Sequence, residues 1–301
     1  MSDYILDDWK KAGKIAAEVR DYGASLIKKG ASFREITEKV EYRIKSLGAI
    51  PAFPPQMALN DTAAHFTVDP DEDIILSDEV VSLDVGVCIN GSIGDTAVTV
   101  DLSGKNDELL KASEDALQEA IQLIRSGVLE LGQIGKIIED TIVSRGFKPV
   151  RNLSGHGLGI YEIHTIPTIP NFDTGDKTKL QPDTFFAIEP FASAGAGLIY
   201  EADEGNIFSV IGKKPVRSQI TREVMKEIDT YKGLPFTTRW LVKKIPIFKV
   251  NFALKDLLNA DIIRAHPPLI DKNHGLVSQA EHTFYLDENK QLFVLTDINE
   301  Q

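Results

Sequence analysis

The feature that most constrains this 301-residue chain is that part of it occurs twice. Residues 30–51 read GASFREITEKVEYRIKSLGAIP, and residues 127–149 read GVLELGQIGKIIEDTIVSRGFKP. With one residue inserted after the leading glycine, Phe33, Ile36, Val40, Ile44, Gly48 and Pro51 align with Leu131, Ile134, Ile138, Ile142, Gly146 and Pro149. In both copies the apolar positions recur every three or four residues, which marks one buried face of a helix. Each copy begins behind a glycine that can end an earlier helix, and each finishes at a glycine followed by a proline. A further helical pattern lies upstream of each copy, over residues 8–28 and 107–125. The chain therefore reads as two similar halves, each opening with two helices, with the junction between them as the natural place for a site.

Strand patterns follow the helices. Residues 79–100 read EVVSLDVGVCINGSIGDTAVTV, in which β-branched residues flank Asn90-Gly91. An Asn-Gly pair between alternating apolar runs is the strongest short signal for a hairpin. Two more runs, Thr184–Glu189 and Ala280–Leu286, have strand character. The fold class is α+β, with helices packed on a sheet that includes an antiparallel hairpin.

The hairpin places two acids where acids are costly. With Asn90-Gly91 as a two-residue turn, Asp84 pairs with Ala97 and Asp95 with Gly86, all on one face because side chains alternate. Asp84 and Asp95 then become diagonal neighbours, about 7–8 Å apart along the backbone. Both sit among Leu83, Val85, Val87 and Val98. Two like charges in that setting repel and are expensive to desolvate. A divalent cation removes both problems; a face of the sheet turned to water also removes them, and the hairpin alone leaves both readings open. Further acids sit in similar settings: Glu189 ends the apolar run Phe185-Phe186-Ala187-Ile188, and Glu281 opens the strand-like run at Ala280. His156 lies within Ser154-Gly155-His156-Gly157-Leu158-Gly159. A lone histidine is usually a structural hydrogen-bonder, but here it completes a set of two Asp, one His and two Glu. Cys88, inside the hairpin, is expected to point away from the face of Asp84 and to serve packing.

Charge and cysteine content bound the rest. The net charge is −12, from 45 Asp and Glu against 33 Lys and Arg, which argues against a whole-chain nucleic-acid binder and against a specific DNA partner. Residues 211–255 run the other way, with eleven Lys and Arg against three acids and with Trp240, Phe248 and Phe252 among them. That stretch reads as an inserted subdomain, its surface either a solvated basic face or a surface for an acidic partner such as RNA. No apolar run is long enough for a membrane span, and Met1-Ser2-Asp3-Tyr4 lacks the pattern of a signal peptide. The single cysteine, Cys88, points to a reducing compartment, so a cytoplasmic protein is expected.

The sequence resembles the methionine aminopeptidases, specifically their type II, archaeal-like branch. The matching segments are Pro51-Ala52-Phe53-Pro54, Ala63-Ala64-His65-Phe66-Thr67, Leu83-Asp84-Val85-Gly86, Gly94-Asp95-Thr96-Ala97, Leu153-Ser154-Gly155-His156, Ile163-His164, Ala187-Ile188-Glu189-Pro190 and Gln279-Ala280-Glu281-His282-Thr283. The resemblance implies the pita-bread fold. Two pseudo-symmetric halves carry helices on a curved antiparallel sheet, over a single catalytic domain of residues 1–301. Residues 200–265 form a helical, winged-helix-like insertion within it.

What the resemblance implies for the site is specific. Two divalent ions, Co, Mn, Fe or Zn, would be held by Asp84, Asp95, His156, Glu189 and Glu281, with Asp95 and Glu281 bridging them; an oxygen-rich set without thiolate suits such ions. Glu189 would accept the proton of the attacking water. His65 would contact the scissile amide nitrogen and His164 the carbonyl oxygen. Phe53 and Ile163 would wall the methionine pocket with His266, which stands where the family more often has tyrosine. The implied activity is removal of the initiator methionine from nascent chains whose second residue is small. The expected partners are that N-terminal methionine and, through the basic insertion, the ribosome; the chain is expected to act as a monomer. The rivals are a Xaa-Pro aminopeptidase or prolidase, and a non-catalytic pita-bread binding protein.

Overall fold

Each copy of the repeat forms a helix of the same length. The computed structural model describes residues 3–202 and 204–297, so the reading of Met1 and Ser2 lies outside the described residues. Helix α1 (Asp3–Leu26) precedes α2 (Phe33–Ser46), just as α3 (Asp107–Arg125) precedes α4 (Leu131–Ser144). Both α2 and α4 have 14 residues and start at the aligned Phe33 and Leu131. They bury the expected stripes, Phe33, Ile36, Val40 and Ile44 in one and Leu131, Ile134, Ile138 and Ile142 in the other. Gly48 and Gly146 follow at φ +81° and +85°, a left-handed conformation that any Cβ would strain. The starts differ. Ser32 caps α2 by accepting from the Glu35 N–H at 3.1 Å. At α4 the free N–H groups of Leu131 and Gly132 instead reach the carbonyls of Thr178 and Asp176.

The strands repeat the same theme. The first half contains β1 (Ile50–Pro51), β2 (Gln56–Leu59), β3 (Thr62–Ala64), β4 (Val80–Ile89) and β5 (Ser92–Asp101). The second half continues with β6 (Lys148–Pro149), β7 (Ser154–Gly159), β8 (Glu162–Pro170), β9 (Thr184–Ile188), β10 (Phe191–Ser193) and β11 (Ile199–Glu201). An excursion follows, built from β12 (Ile207–Val210), α5 (Gln219–Ile228), β13 (Phe236–Thr237), α6 (Thr238–Val242), α7 (Ile247–Asn259) and β14 (Ile263–His266). The chain then returns through β15 (Leu269–Asp271), β16 (Val277–Gln279), β17 (His282–Leu286) and β18 (Leu292–Val294).

Ladder registers show how the halves correspond. Pro51 pairs with Val87 as Pro149 pairs with Ala192. Gly86 pairs with Asp95 as Phe191 pairs with Gln279, and Ser82 pairs with Thr99 as Ala187 pairs with Thr283. Counting back from Val87 and Ala192, Asp84 and Glu189 hold equivalent places. So do Asp95 and Gln279, and Thr99 and Thr283. One apolar core lies between α1, α2 and the first sheet; another lies between α3, α4 and the second.

Three local expectations need correction. The strand expected over Ala280–Leu286 begins only at His282. Segment 277–279 pairs with β10 and segment 282–286 with β9, while between them the Glu281 N–H turns to the Ala97 carbonyl of the other half. The excursion begins later than residue 200, because β11 pairs with β15 and belongs to the body. Cys88 does not face away from Asp84. Both are even positions of β4, and Cys88 packs with Phe53, Ile93 and Ile163 on that same face.

The excursion has a core of its own, including Phe208, Val224, Phe236, Leu241, Val250 and Leu257. Glu41 of α2 fastens it to the body. Trp240 Nε1 donates to Glu41 Oε1 at 2.8 Å, and Arg239 Nη2 approaches the same oxygen at 2.7 Å, out of line for a hydrogen bond but within ion-pair range. Both charged side chains are only 3% exposed. Removing one partner leaves the other charge buried alone, so Glu41→Ala should lower stability by about 3–5 kcal/mol in urea unfolding. A loss within that of an ordinary surface substitution would mean that the pair does not anchor the excursion.

Candidate active site

The turn at Asn90-Gly91 sets the geometry of the site. Asn90 and Gly91 both have positive φ, and the register pairs Asp84 with Ala97 and Gly86 with Asp95. Asp84 and Asp95 therefore share the face of β4–β5 that looks toward the second half. Gly86 lies between their positions because Phe53 packs against it; a Cβ there would come within 2.2 Å of the Phe53 ring.

The second half brings the remaining acids to the same place. Glu189 follows β9, and Glu281 sits at the break between β16 and β17. His156, in the middle of β7, points its Nε2 to 3.8 Å from Asp95 Oδ2 and 3.6 Å from Glu189 Oε1. Its Nδ1 lies 3.2 Å from the Gly157 carbonyl. With the proton on Nδ1, this leaves the Nε2 lone pair facing the carboxylates. Donor atoms of Asp95, His156 and Glu281 lie within 4.8 Å of one another, so these three residues alone could hold a metal ion.

Electrostatics disfavour the ionised form of the cluster in the absence of added positive charge. Burial pushes the Asp84 carboxyl up to about 7. Asp95, Glu189 and Glu281 are pushed well above the usual carboxylate range, by burial first and then by one another's charge. Burial, and then His164, holds His156 down to about 3, so its imidazole is neutral. Asp84 Oδ1, Asp95 Oδ1 and Glu281 Oε2 are buried with no hydrogen-bond partner. Buried polar atoms are almost always paired. Unpartnered carboxylate oxygens facing a neutral imidazole are therefore the arrangement that suits a divalent cation.

These five side chains line one cavity of about 430 Å³. The other sequence-predicted site residues, Phe53, His65, Ile163, His164 and His266, line the same cavity. The His164 ring meets His156 edge to face at 4.6 Å, and the His65 ring meets His266 at 5.4 Å. His65 adopts φ +62°. Its backbone N–H donates to Gln56 Oε1, while its Nδ1 is buried with no partner. Burial, then His266 and His164, lowers the His65 pKa to about 4. His266 Nε2 bonds Ser209 Oγ at 2.9 Å. His282 points away from the acids, as alternation requires, and bonds Thr296.

Some residues of this cavity had no local signal in the sequence. Leu234 and Pro235, with Gly233, close one wall from the excursion, far along the chain from the acids. Gln56 pairs across from Asp84, and behind the cavity lining Asn171 donates to the Glu189 carbonyl at 3.1 Å. The better clue was Gln279, two residues before Glu281, whose Nε2 lies 3.4 Å from Glu189 Oε2.

The raised carboxyl pKa values carry a pH consequence. A carboxyl whose folded pKa exceeds its unfolded value makes the folded state bind more protons, so stability falls as pH rises between the two values. Metal-free protein should therefore lose thermal stability from about pH 4, the unfolded carboxyl range, up to about 7, the raised Asp84 value. Adding a divalent ion should abolish that slope and raise Tm. A chelator-treated sample whose Tm is flat with pH and unmoved by Mn(II) would count against the cluster.

Comparisons with known proteins bear on the family and the fold. The model of metallopeptidase family M24 matches residues 7–225. A methionine aminopeptidase of Archaeoglobus fulgidus is 43% identical over 290 residues, covering 96% of this chain and 97% of its own length. One from Methanocaldococcus jannaschii is 41% identical, covering 93% of this chain and 94% of its own. Among solved structures, a methionine aminopeptidase from Thermotoga maritima superposes with a TM-score of 0.71 at 21% identity, covering 99% of this chain and 98% of its own. A thermophilic Arx1 superposes at 0.84 with 14% identity, covering 98% and 91%; at such identities the likeness concerns the fold alone. The chain belongs to metallopeptidase family M24, among its methionine aminopeptidases.

Proposed function

We propose that this protein is a metal-dependent aminopeptidase that removes the initiator methionine from nascent chains whose second residue is small. The observation that carries the reading is the set of unpartnered, buried carboxylate oxygens in a cavity that is also lined by apolar side chains such as Phe53, Ile163 and Leu234. Curated archaeal relatives named methionine aminopeptidases align over nearly the whole chain, which supports the same reading. In this reading residues 1–301 act as one catalytic unit and a monomer suffices, with the excursion between β11 and β15 as the insertion.

Asp84, Asp95, His156, Glu189 and Glu281 would hold two divalent ions, drawn from Co, Mn, Fe or Zn. Four carboxylates with a neutral imidazole balance the charge of two such ions. Ions bound there would polarise the scissile carbonyl and acidify the attacking water. The chain's own groups do the rest. The Glu189 carboxylate takes the water's proton and passes it toward the leaving amine. His164 donates to the carbonyl oxygen as negative charge develops there, and His65 contacts the amide nitrogen. Phe53, Ile163 and His266 bind the methionine side chain.

Two rivals are met by particular observations. Prolidase structures, such as that from Pyrococcus furiosus, share the fold at a TM-score of 0.60, but this chain covers only 64% of that one. A non-catalytic binding protein would have no need of buried, unpartnered acids. The deciding experiment reconstitutes the protein with each candidate metal and offers Met-Ala-Ser and Ala-Pro peptides. Release of methionine alone is expected, and Glu189→Ala should lower kcat by about 100-fold or more. Cleavage only before proline would establish the first rival, and no turnover with any metal the second.

We further infer a cytoplasmic location and a ribosomal partner. None of the described helices is long and apolar enough to cross a membrane. The excursion leaves Phe248 and Phe252 of α7 67% and 52% exposed in a lysine-rich stretch of sequence, a composition suited to RNA. Neutralising Lys243, Lys244 and Lys249 should weaken cosedimentation with ribosomes; unchanged cosedimentation would remove this partner.

A further inference from the structure

A group of buried hydroxyls between the halves has no part in the chemistry above. Strand β5 pairs with β4 on one side only. The backbone groups on its other edge, buried against residues 279–283, still need partners. Threonine side chains supply most of them. Thr283 Oγ1 accepts from the Asp95 N–H and donates to the Asp95 carbonyl, both at 2.7 Å. Thr99 Oγ1 accepts from the Gln279 N–H at 2.9 Å and donates to the Gln279 carbonyl at 2.7 Å. Because Thr99 corresponds to Thr283, and Asp95 to Gln279, these are one contact made twice, related by the pseudo-two-fold.

The proton count is consistent. A hydroxyl has one proton to give and two lone pairs to receive. Thr99 spends its proton on Gln279, so its 2.8 Å contact with Ser82 is received from Ser82. Between the two contacts, Thr96 Oγ1 donates to the Glu281 carbonyl at 2.8 Å, and the Glu281 N–H donates to Ala97. Thr96 and Thr283 are fully buried.

Each stapled backbone leads to a carboxylate of the cluster. Asp95 is one itself, and Gln279 reaches Glu189 with its side-chain amide. Carboxylates that repel one another tend to spread the halves apart, and these two contacts cross the boundary where that spreading would occur. We propose that Thr99 and Thr283 are positioning residues for the metal centre: they lock the Asp95 and Gln279 backbones across the pseudo-two-fold and so hold acids from both halves at the separation that binds metal. This rests on the metal-dependent reading above.

The test is calorimetric titration of chelator-stripped protein with Mn(II), beside its metal-free Tm. Thr283→Val and Thr99→Val keep the shape and lose the hydroxyl. Each should bind Mn(II) about 10- to 100-fold more weakly, the usual effect of groups that orient metal ligands. Thr283→Ser, which keeps the hydroxyl, should retain wild-type affinity. Thr37→Val is the comparison: its hydroxyl is equally buried and bonds the Phe33 carbonyl inside α2, so it should cost Tm without changing affinity. If Thr283→Val does not fold, Thr99→Val carries the same test from the other half. Valine variants that lose Tm yet bind Mn(II) as the wild type does would overturn the proposal and leave a purely structural role. A wild-type protein that binds no Mn(II) would overturn the metal-dependent reading, and the proposal with it.

Discussion

Four carboxylates gathered around one neutral imidazole set the terms for the rest of this structure. Asp95 and Glu281 are almost wholly buried, and Asp84 and Glu189 only partly less so. Burial and mutual repulsion both favour their protonated forms. Such a group is stable in its ionised form only beside concentrated positive charge, and among the described residues no lysine or arginine lines the cavity. Everything around it can be understood as holding the acids together in the absence of mutual attraction: a tight turn, an aromatic ring against a glycine, and hydroxyls spanning the two halves.

Duplication explains how one site can be assembled from two units that each lack it. Equivalent places in the two halves carry Asp84, inside β4, and Glu189, just after β9. The next pair has diverged: Asp95 in the first half is a ligand candidate, while Gln279 in the second is a neutral amide that touches Glu189. The symmetric frame is kept by Thr99 and Thr283, while the side chains on it differ. Divergence on a kept frame allows a symmetric scaffold to bind an asymmetric substrate.

The excursion adds what duplication cannot. It covers the cavity on one side through Leu234 and Pro235. It is anchored by a buried ion pair to α2, so the wall it contributes has a fixed place. Its outer helix, α7, buries Val250, Ala253, Leu254 and Leu257 and turns two phenylalanines outward. One element thus faces both the pocket and the surroundings of the enzyme.

Local pattern alone was enough for the paired helices, the glycine ends at Gly48 and Gly146, the hairpin register and the shared face of Asp84 and Asp95. All of these follow from periods of two or 3.6 residues and from turn chemistry, which act over a few neighbours. The parity of Cys88 is local as well, since it and Asp84 are both even positions of one strand. Other features depend on contacts between residues far apart in the chain, and no local period encodes them. They include the break at Glu281, the approach of His156 to Asp95 and Glu189, the reciprocal threonines and the wall at Leu234. The sequence by itself determined which acids lie in apolar strands and that the chain is built twice. Only the tertiary structure decided that those acids meet, because burial and unpaired charge are properties of the assembled halves rather than of any segment.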